Sequence, residues 1–477
     1  MPLLFNRVHG KGGHMRRNRA AIIVIAFLIL ASRSALGADL TFMKSEYAAR
    51  RAKLMDQIPD GAAVILGAQP VTGFNPFVQN NDLMYFSGVE IPNAVLVVDG
   101  RNRTGTLFFT MSESAARNEG ISQELVKNPR EATGIENVLP IEQLSSHLSR
   151  LASRGSVLYT SFKPEELARE CSNEKFGTLF QSMMTNVWDG RLTRELQFVQ
   201  NLKTRFPQVE VKDCSPMIWD LRSLKSPAEI EVLRRAGALG AQAATELMKA
   251  CRVGVFEYEL SAIFEYFCRK AGADIAYNVI ISSAENHPYL HYYKHDRKLA
   301  DGDFLVVDAG PDVDYYDVDI SLSFPANGRF SPRQREIYQA ALTVQKEFLA
   351  RYRPGLTAAE VQAQVRESLL RKGFDLDRDI FKIRTMQNGT SHDVGLAVHD
   401  VVGPSGRGPF RVGQVFACDI YAVFPGEDLG VRIEDTVVIT ETGCEVLTKG
   451  IPREIPEIET LMKQPGLIQI LKEKSLY

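Results

Sequence analysis

The sequence predicts an α+β domain preceded by a smaller α/β domain. Short apolar runs alternate with helical patterns up to about residue 222, which is typical of an α/β layer structure. A helix-start signal at residues 226–229 then opens a second region. In that region two pairs of helical patterns flank a β-rich, acidic segment, and further strand patterns follow. The chain of 477 residues is long enough for two to three domains.

The composition is that of an ordinary globular protein. Hydrophobic residues make up 45% of the chain and charged residues 24%, and the formal net charge is -2. No basic stretch with interleaved aromatic residues is present in the sequence. We therefore expect no nucleic-acid partner and no general attraction to membrane surfaces.

The first 38 residues have the pattern of a secretory leader. A basic region at residues 15–19 precedes an apolar run at residues 20–31, and small residues at 34–38 allow cleavage after Gly37 or Ala38. Met15 is the predicted true start. The alternative is an uncleaved membrane anchor, but the apolar run is short for a membrane span. We expect an exported protein, periplasmic or secreted, with no stable membrane span after cleavage.

Residues 39–222 are predicted to form the N-terminal domain. An Asp-Gly turn at residues 99–103 indicates a hairpin between two of its strands. The segments predicted as helices are residues 44–57, 112–119 and 165–168, and the predicted strands are residues 62–67, 94–100, 106–111 and 156–160. Because this region has no dense group of metal-binding residue types, we interpret it as a supporting or specificity domain.

Residues 223–450 are predicted to form the second domain, and residues 451–477 a tail with one packing helix. Ser226 is a good helix cap, Pro227 suits the first helical position, and Glu229 completes a capping box. Three further helices are predicted at residues 257–271, 331–352 and 357–372, and a strand at residues 277–282.

The acidic segment at residues 302–320 is the first candidate site. Asp308 ends an apolar run, and Asp317 and Asp319 lie on a second strand-like run. If the runs pair as a hairpin about residues 311–314, Asp308 and Asp319 lie roughly opposite each other on one face. Two such carboxylates repel unless a cation or a shared proton lies between them. A metal site, an acid/base pair and a solvated acidic turn all remain open, and periodicity does not choose between Asp317 and Asp319.

Three later positions carry further candidate ligands: His392, Asp419 and Glu434. Each also has a purely structural interpretation, as a core histidine, a turn cap and a surface ion pair with Arg432 respectively. On a strand, Arg432 faces the same side as Glu434, and Cys418 faces away from Asp419. The six cysteines fit no zinc-binding spacing, and their pairing is left open.

Several of these motifs together resemble the pita-bread metallopeptidases, the family of aminopeptidase P, prolidase and methionine aminopeptidase. The N-terminal half also resembles the companion domain of the aminopeptidase P and prolidase branch. The segments that carry the resemblance are residues 75–88, 307–310, 319–325, 328–338, 391–400 and 431–435. The resemblance implies a creatinase/aminopeptidase-like pita-bread catalytic domain at residues 223–450.

The resemblance also implies a ligand set. It places Asp308, Asp319, His392, Asp419 and Glu434 as ligands of two divalent metal ions, and its Asp-Ile-Ser context favours Asp319 over Asp317. One imidazole among oxygen ligands suits Mn²⁺, which we expect, or Co²⁺ or Zn²⁺. Two such ions can activate a water and stabilise the reacting groups. Arg432 is a candidate for orienting a ligand carboxylate.

The implied activity is that of an exported Xaa-Pro aminopeptidase or dipeptidase. Such an enzyme hydrolyses the bond between an N-terminal residue and proline, so peptides with proline in second position are the expected substrates. The implied catalytic residues are His291 and His399, which would assist the tetrahedral intermediate, and Asp419 as proton shuttle. The resemblance further implies a homodimer or homotetramer.

Two positions depart from the family pattern. Asp419 stands where relatives usually carry glutamate in Glu-Pro-Gly, and it is one methylene shorter. Asn388 stands where aminopeptidase P and prolidase relatives often carry histidine, and asparagine does not titrate. Two alternatives remain: a metal-free, creatinase-like amidinohydrolase, against which the three carboxylates of Asp308, Asp319 and Glu434 argue, and a non-catalytic binding protein that keeps the fold, which the two departures alone support.

Overall fold

The computed structural model describes residues 40–475 except 72–74, 168–169, most positions between 171 and 190, 379–388 and 404–407. The predicted leader and Asn388 lie outside the described residues. Within the described part, no helix is both long and apolar enough to cross a membrane.

The N-terminal domain is built around a mixed six-stranded sheet. Its strands are β1 Gly61–Leu66, β2 Val95–Asp99, β3 Thr104–Phe108, β4 Asn137–Leu139, β5 Val157–Thr160 and β6 Val211–Asp213, in the spatial order β4-β3-β2-β1-β5-β6. The central strand β1 is antiparallel to β2 and parallel to β5. β2 and β3 form the predicted hairpin around the Asp-Gly turn, so that prediction is confirmed.

Several α-helices accompany this sheet. They are α1 Lys44–Gln57, α2 Asn81–Ser87, α3 Glu113–Asn118, α4 Gln123–Lys127, α5 Pro129–Thr133, α6 Leu144–Ser153, α7 Arg194–Arg205 and α8 Ser215–Ser223. α1 and α3 confirm the predicted helices there. The helix predicted at residues 165–168 is wrong for residues 165–167, which form no helix; residue 168 lies outside the described residues. Glu166 is instead buried in an ion-pair network, so tertiary contacts decide its backbone.

The second half forms a curved, largely antiparallel sheet covered by two helix pairs. The helices are α9 Pro227–Ala250, α10 Glu257–Lys270, α11 Pro332–Leu349 and α12 Ala358–Arg371. The strands are β7 Asp274–Ile275, β8 Ile280–Ser283, β9 Phe304–Asp308, β10 Pro311–Val313, β11 Tyr316–Asp317, β12 Ile320–Pro325, β13 Thr390–Asp393, β14 Val415–Phe424, β15 Leu429–Ile439 and β16 Cys444–Val446. The main sheet has the order β13-β14-β15-β12-β9-β8, with β16 on β15. The predicted α+β architecture is confirmed.

The helix starts follow the sequence signals. At α9 the Ser226 side chain accepts from the Glu229 backbone N–H, and the Glu229 side chain accepts from the Ser226 N–H, so the predicted capping box is present. The same reciprocal arrangement of Ser331 and Gln334 starts α11. The tail departs from the expectation of one helix. It forms two short helices, α13 Ile455–Leu461 and α14 Leu467–Glu473, because Gly466 interrupts the helical pattern.

The acidic segment forms a different pairing from the predicted hairpin. β10 and β11 make their own small hairpin, which pairs with β7, and this inserts a loop between the two runs of the main sheet. β9 and β12 then pair with Ser321, not Asp319, opposite Asp308. The single hairpin on which the prediction depended does not form, and Asp308 and Asp319 are near each other without being directly paired. Asp319 lies two residues before Ser321, so it remains a diagonal neighbour of Asp308.

A buried ion network joins the two halves. The Arg222 guanidinium at the end of α8 donates to Asp82 at 2.8 Å, to Glu166 at 3.1 and 2.8 Å, and to Asp400 at 2.6 Å. The Lys225 ammonium donates to the other oxygen of Asp400 at 2.9 Å. Asp82 and Glu166 belong to the N-terminal half and Asp400 to the second half. The network thus fixes the turn that carries residues 399 and 400 against the N-terminal domain.

Candidate metal centre

Asp308 and Asp319 converge on the hydroxyl of Tyr277. The Tyr277 oxygen lies 2.5 Å from Oδ1 of Asp308 and 2.5 Å from Oδ1 of Asp319. A phenol carries one hydrogen, so it donates to only one of the two carboxylates at a time. Burial raises the pKa of Asp308 to about 7, against the opposing effect of Arg432.

Glu434 on β15 completes the group from the neighbouring strand. Its side chain is fully buried, at 0% exposure, and its Oε2 accepts from the Ser321 hydroxyl at 2.7 Å. Ser321 is opposite Glu434 across β12 and β15, and it is also opposite Asp308 across β12 and β9. The candidate ligand atoms of Asp308, Asp319 and Glu434 all lie within 4.8 Å of one another. Strand register thus brings three buried carboxylates together.

Arg432 is the cation of the site. Its Nη1 contacts Oδ2 of Asp308, and its Nη2 lies 3.3 Å from Oε2 of Glu434. Its Nε donates to Oδ1 of Asp419 at 3.1 Å and its Nη2 to Oδ2 of Asp419 at 3.1 Å. The predicted same-side position of Arg432 and Glu434 is confirmed. Asp419 pairs directly with Glu434 in an uninterrupted β14–β15 register, but it is not one of the converging ligand groups of the described residues.

His392 approaches the carboxylates from β13. Its Nε2 lies 3.2 Å from Oδ2 of Asp319 and 3.9 Å from Oε1 of Glu434. Its Nδ1 lies 3.3 Å from the Asp393 carbonyl, an acceptor that a hydrogen on Nδ1 would satisfy. The His399 ring lies against His392, with ring centroids 3.9 Å apart. Asp319, His392 and His399 form a second group of convergent ligand atoms.

The remaining sequence-predicted residues lie elsewhere. His291 is exposed on the loop after β8 and stacks on Tyr293, so it is in neither convergent group. Asp317 is buried, and its backbone N–H donates to the Gly395 carbonyl. Like His291, Asp317 lies outside both ligand groups of the described residues. Cys418 is fully buried beside Tyr352, on the face away from Asp419, which confirms its core role. The five described cysteines are free thiols; Cys171 lies outside the described residues.

The electrostatics of this group demand added positive charge. Burial raises the pKa of Glu434 well above its usual value, and the neighbouring Asp319, Asp419 and Asp308 raise it further against Arg432. Burial also acts to raise the pKa of Asp319, but His392, Arg432 and Tyr277 outweigh it and lower that pKa. Burial and the adjacent carboxylates raise the pKa of Tyr277 well above its usual value. One guanidinium does not balance four nearby carboxylates.

Two buried atoms lack the partners that their chemistry requires. Oε1 of Glu434 and Nε2 of His392 make no hydrogen bond within the described residues, and they point toward the same region as Asp319. Buried polar atoms that make no hydrogen bond are costly. A divalent cation with oxygen and imidazole ligands satisfies both atoms and offsets the carboxylate charge. The residues present therefore fit a metal site.

Sequence reasoning missed two side chains that shape this site. Tyr277 lies in a bend before β8, and no local pattern links it to the aspartates 31 and 42 residues later. Ser321 did carry a signal. Asp319, Ser321 and Ser323 alternate with apolar residues, so they share one face of the strand pattern. That face indicated a polar environment around Asp319.

Comparisons with known proteins agree with this geometry. The profile of metallopeptidase family M24 matches residues 231–441, and that of the aminopeptidase P N-terminal domain matches residues 47–159. The Xaa-Pro aminopeptidase of Escherichia coli (strain K12) is 31% identical over 452 residues, covering 88% of this chain and 98% of that one.

Solved structures give the same result. A zinc-substituted E. coli aminopeptidase P in complex with product aligns with a TM-score of 0.70 and 30% identity, covering 88% of this chain and 98% of that chain. Proline aminopeptidase P II from Yersinia pestis aligns with a TM-score of 0.71 and 30% identity, covering 88% of this chain and 100% of that chain. These alignments confirm the predicted pita-bread fold with its N-terminal companion domain. Both profile matches fall inside the predicted domains 39–222 and 223–450, whose boundaries stay predictions.

Proposed function

The chain belongs to metallopeptidase family M24, in its aminopeptidase P branch, and on that premise we propose that it is an exported, dinuclear Xaa-Pro aminopeptidase. It is a metallopeptidase. The proposed reaction is hydrolysis of the bond between an N-terminal residue and a following proline. The observation that carries the proposal is the convergence of Asp308, Asp319 and Glu434, buried and within 4.8 Å of one another, beside the unpaired Nε2 of His392. A creatinase-like, metal-free site would have no use for this concentration of buried carboxylates.

The side chains proposed to hold two divalent ions are Asp308, Asp319, His392 and Glu434. When bound, such ions would lower the pKa of a water and polarise the scissile carbonyl. Mn²⁺ is the proposed metal, because hard oxygen ligands dominate the set; Co²⁺ and Zn²⁺ suit the same donors. The five-ligand assignment that includes Asp419 stays a prediction.

The surrounding residues orient these ligands. Tyr277 fixes the Oδ1 atoms of both aspartates, and Ser321 fixes Oε2 of Glu434. The Thr436 hydroxyl accepts from the Asp319 backbone N–H at 2.8 Å and donates to the Asp319 carbonyl at 3.0 Å, which holds the backbone of that ligand. Such outer contacts keep ligand carboxylates in place before any ion or substrate arrives.

The proposed proton shuttle and substrate contacts need separate tests. Both carboxylate oxygens of Asp419 accept hydrogen bonds from the Arg432 guanidinium. At least one of these hydrogen bonds must break before Asp419 can carry a proton. His291 is exposed on its loop and lies outside both ligand groups of the described residues. Both roles stay predictions.

The activity test uses the chain from residue 39 onward. It is purified without metal, supplied with Mn²⁺, Co²⁺ or Zn²⁺, and assayed on Xaa-Pro dipeptides and on longer Xaa-Pro peptides. We expect turnover with at least one metal, and loss of turnover in Glu434→Gln. An equivalent Xaa-Ala series is the specificity control. Absence of hydrolysis with every metal and both substrate lengths would overturn the proposal.

Export and assembly are proposed alongside the activity. The basic residues 15–19 and the apolar residues 20–31 support export, and N-terminal sequencing of the full-length product from a periplasmic fraction is the check. A product that starts at Ala38 or Asp39 is expected, whereas cytoplasmic retention of the intact chain would refute export. Light scattering on the purified protein tests the proposed homodimer or homotetramer.

A further inference from the structure

The tip of the β10–β11 hairpin has a backbone conformation that its residues disfavour. Val313 pairs with Tyr316, so the turn consists of Asp314 and Tyr315, whose φ values are +55° and +73°. Both values lie in the left-handed region, where a bulky side chain is an outlier. Two-residue turns of this kind usually carry glycine at the second position. A tyrosine in that position persists only where contacts with the surrounding structure hold it there.

The hydroxyl of Tyr315 makes such a contact, and it reaches into the N-terminal domain. It accepts a hydrogen bond from the Gln79 backbone N–H at 2.9 Å and donates one to Oε1 of Glu90 at 2.5 Å. Burial and the Glu90 carboxylate raise the pKa of Tyr315 well above its usual value, so the hydroxyl keeps the hydrogen that it donates. The hairpin is thus attached to the N-terminal domain through both hydrogen-bonding capacities of one hydroxyl.

Gln79 gives this hydroxyl a fixed anchor. Its side chain is fully buried, and its Oε1 accepts from the backbone N–H groups of Ala68 at 2.7 Å and Asn80 at 2.9 Å. Its Nε2 donates to the carbonyls of Val89 at 2.9 Å and Ile91 at 3.1 Å. One side-chain amide therefore holds several stretches of the N-terminal domain together at the point where the hairpin docks.

The same hairpin is inserted between the two aspartates of the candidate metal centre. Asp308 ends β9 shortly before β10, and Asp319 lies two residues after β11. In the pairing of β10 with β7, Pro311 lies opposite Ile275. Tyr277 follows Ile275 by two residues and contacts both aspartates through its hydroxyl. A displacement of the hairpin is therefore transmitted to both carboxylates and to the tyrosine that joins them.

We propose that Tyr315 is a positioning residue through which the N-terminal domain sets the separation of Asp308 and Asp319. This rests on the proposed function, because it assumes that these two aspartates bind metal. The N-terminal domain then supports the metal centre without supplying a ligand, since it holds the hairpin and the hairpin holds both carboxylates. The proposed ligands themselves are unchanged.

The test measures the Co²⁺ affinity of each protein and the melting temperature of its metal-free form. Tyr315→Phe keeps the ring and removes both hydrogen bonds of the hydroxyl. It should bind Co²⁺ about three- to tenfold more weakly in a calorimetric titration, at or below the lower end of the loss caused by removing a group that contacts a ligand directly. Tyr315→Gly also relaxes the left-handed backbone. Its melting temperature should therefore fall less than that of Tyr315→Phe, although its Co²⁺ affinity is equally weak.

Two matched controls separate this role from a general loss of packing or strain. Tyr258→Phe removes the hydroxyl of an exposed tyrosine on α10, and Asp428→Gly relaxes another left-handed residue, with φ +49°, at the exposed turn between β14 and β15. Both should bind Co²⁺ like the wild type. Hydrogen exchange on the metal-free proteins adds a readout that needs no metal: the amides of residues 311–317 should exchange faster in Tyr315→Phe and at the wild-type rate in both controls.

Unchanged Co²⁺ affinity in Tyr315→Phe would overturn the proposal, whatever Tyr315→Gly shows. If Tyr315→Phe does not fold, Glu90→Ala removes the acceptor from the exposed side of the same contact, and the presence or absence of the weakening in that variant decides. A wild type that binds no Co²⁺ would instead refute the metal site of the proposed function, so the two failures are distinguishable.

Discussion

Replacing Arg222 by methionine should destabilise the protein strongly, because it removes the centre of a buried charge network. Arg222 is 1% exposed and donates four hydrogen bonds to three carboxylates, those of Asp82, Glu166 and Asp400. Methionine fills a similar volume but leaves Asp400 with Lys225 as its charged partner, and it removes the cation that Asp82 and Glu166 share. Breaking a buried ion pair by removing one member costs about 3–5 kcal/mol.

The expected shift in unfolding temperature follows from that loss. A domain of this size loses roughly 2–4 °C per kcal/mol, so the melting temperature should fall by roughly 6–20 °C in calorimetry. The matched control is Arg234→Met. Arg234 pairs with Glu445 and Glu231 on the surface with 41% of its side chain exposed, and such pairs contribute less than about 1 kcal/mol.

The pH dependence gives an independent check of the same reasoning. Burial raises the pKa of Asp82 to about 6 even with Arg222 in place. Without the guanidinium, the three carboxylates should bind protons more readily in the folded state, so the stability deficit of Arg222→Met should be smaller at pH 5 than at pH 8. The reasoning is refuted if Arg222→Met and Arg234→Met unfold at the same temperature, or if the deficit grows on acidification.

Three further predictions concern backbone packing, a buried acid and metal binding. A Cβ on Gly310 would lie 1.7 Å from the Val318 carbonyl oxygen, so Gly310→Ala should cost at least ~1–3 kcal/mol in urea unfolding, whereas Gly426→Ala, in open space, should cost much less. Burial raises the pKa of Glu257 to about 7, so the folded wild type loses stability as the pH rises from about 4.5 through 7 and this carboxyl ionises. Glu257→Gln cannot ionise there, so its stability should increase relative to that of the wild type between pH 5 and pH 8. Parallel stability profiles of the two proteins over this pH range would contradict the prediction. Mn²⁺ at a hundredfold excess over its dissociation constant should stabilise the wild type by ~2.7 kcal/mol and a chelator should reverse the gain, whereas Glu434→Gln should respond less to both.

The helices and the N-terminal hairpin could be predicted because their signals are local. Ser226 and Glu229 are three residues apart, and the capping box that they form needs no distant partner. The Asp-Gly turn between β2 and β3 is likewise set by neighbouring residues. The helix predicted at residues 165–168 is wrong for residues 165–167, where Glu166 is held in a buried ion network with Arg222. The single tail helix was wrong because two short segments of it pack separately.

The candidate ligands could be named from the sequence because their residue types and motif context are both informative. Asp308, Asp319, His392 and Glu434 were all identified in this way, and the structure brings them together. Their register could not be predicted. An extra hairpin between β9 and β12 places Ser321 opposite Asp308 and moves Asp319 to the diagonal position.

The sequence by itself determined the residue types of this protein's site, its helix caps and its family, since each depends on short motifs. Only the tertiary structure decided which charges meet. Tyr277 reaches both aspartates, Arg432 takes both oxygens of Asp419, and His399 comes to lie on His392. The physical reason is that a buried charged group interacts strongly only with groups that lie within a few ångströms of it. Strand register and chain crossings set that distance, and local sequence patterns do not specify them.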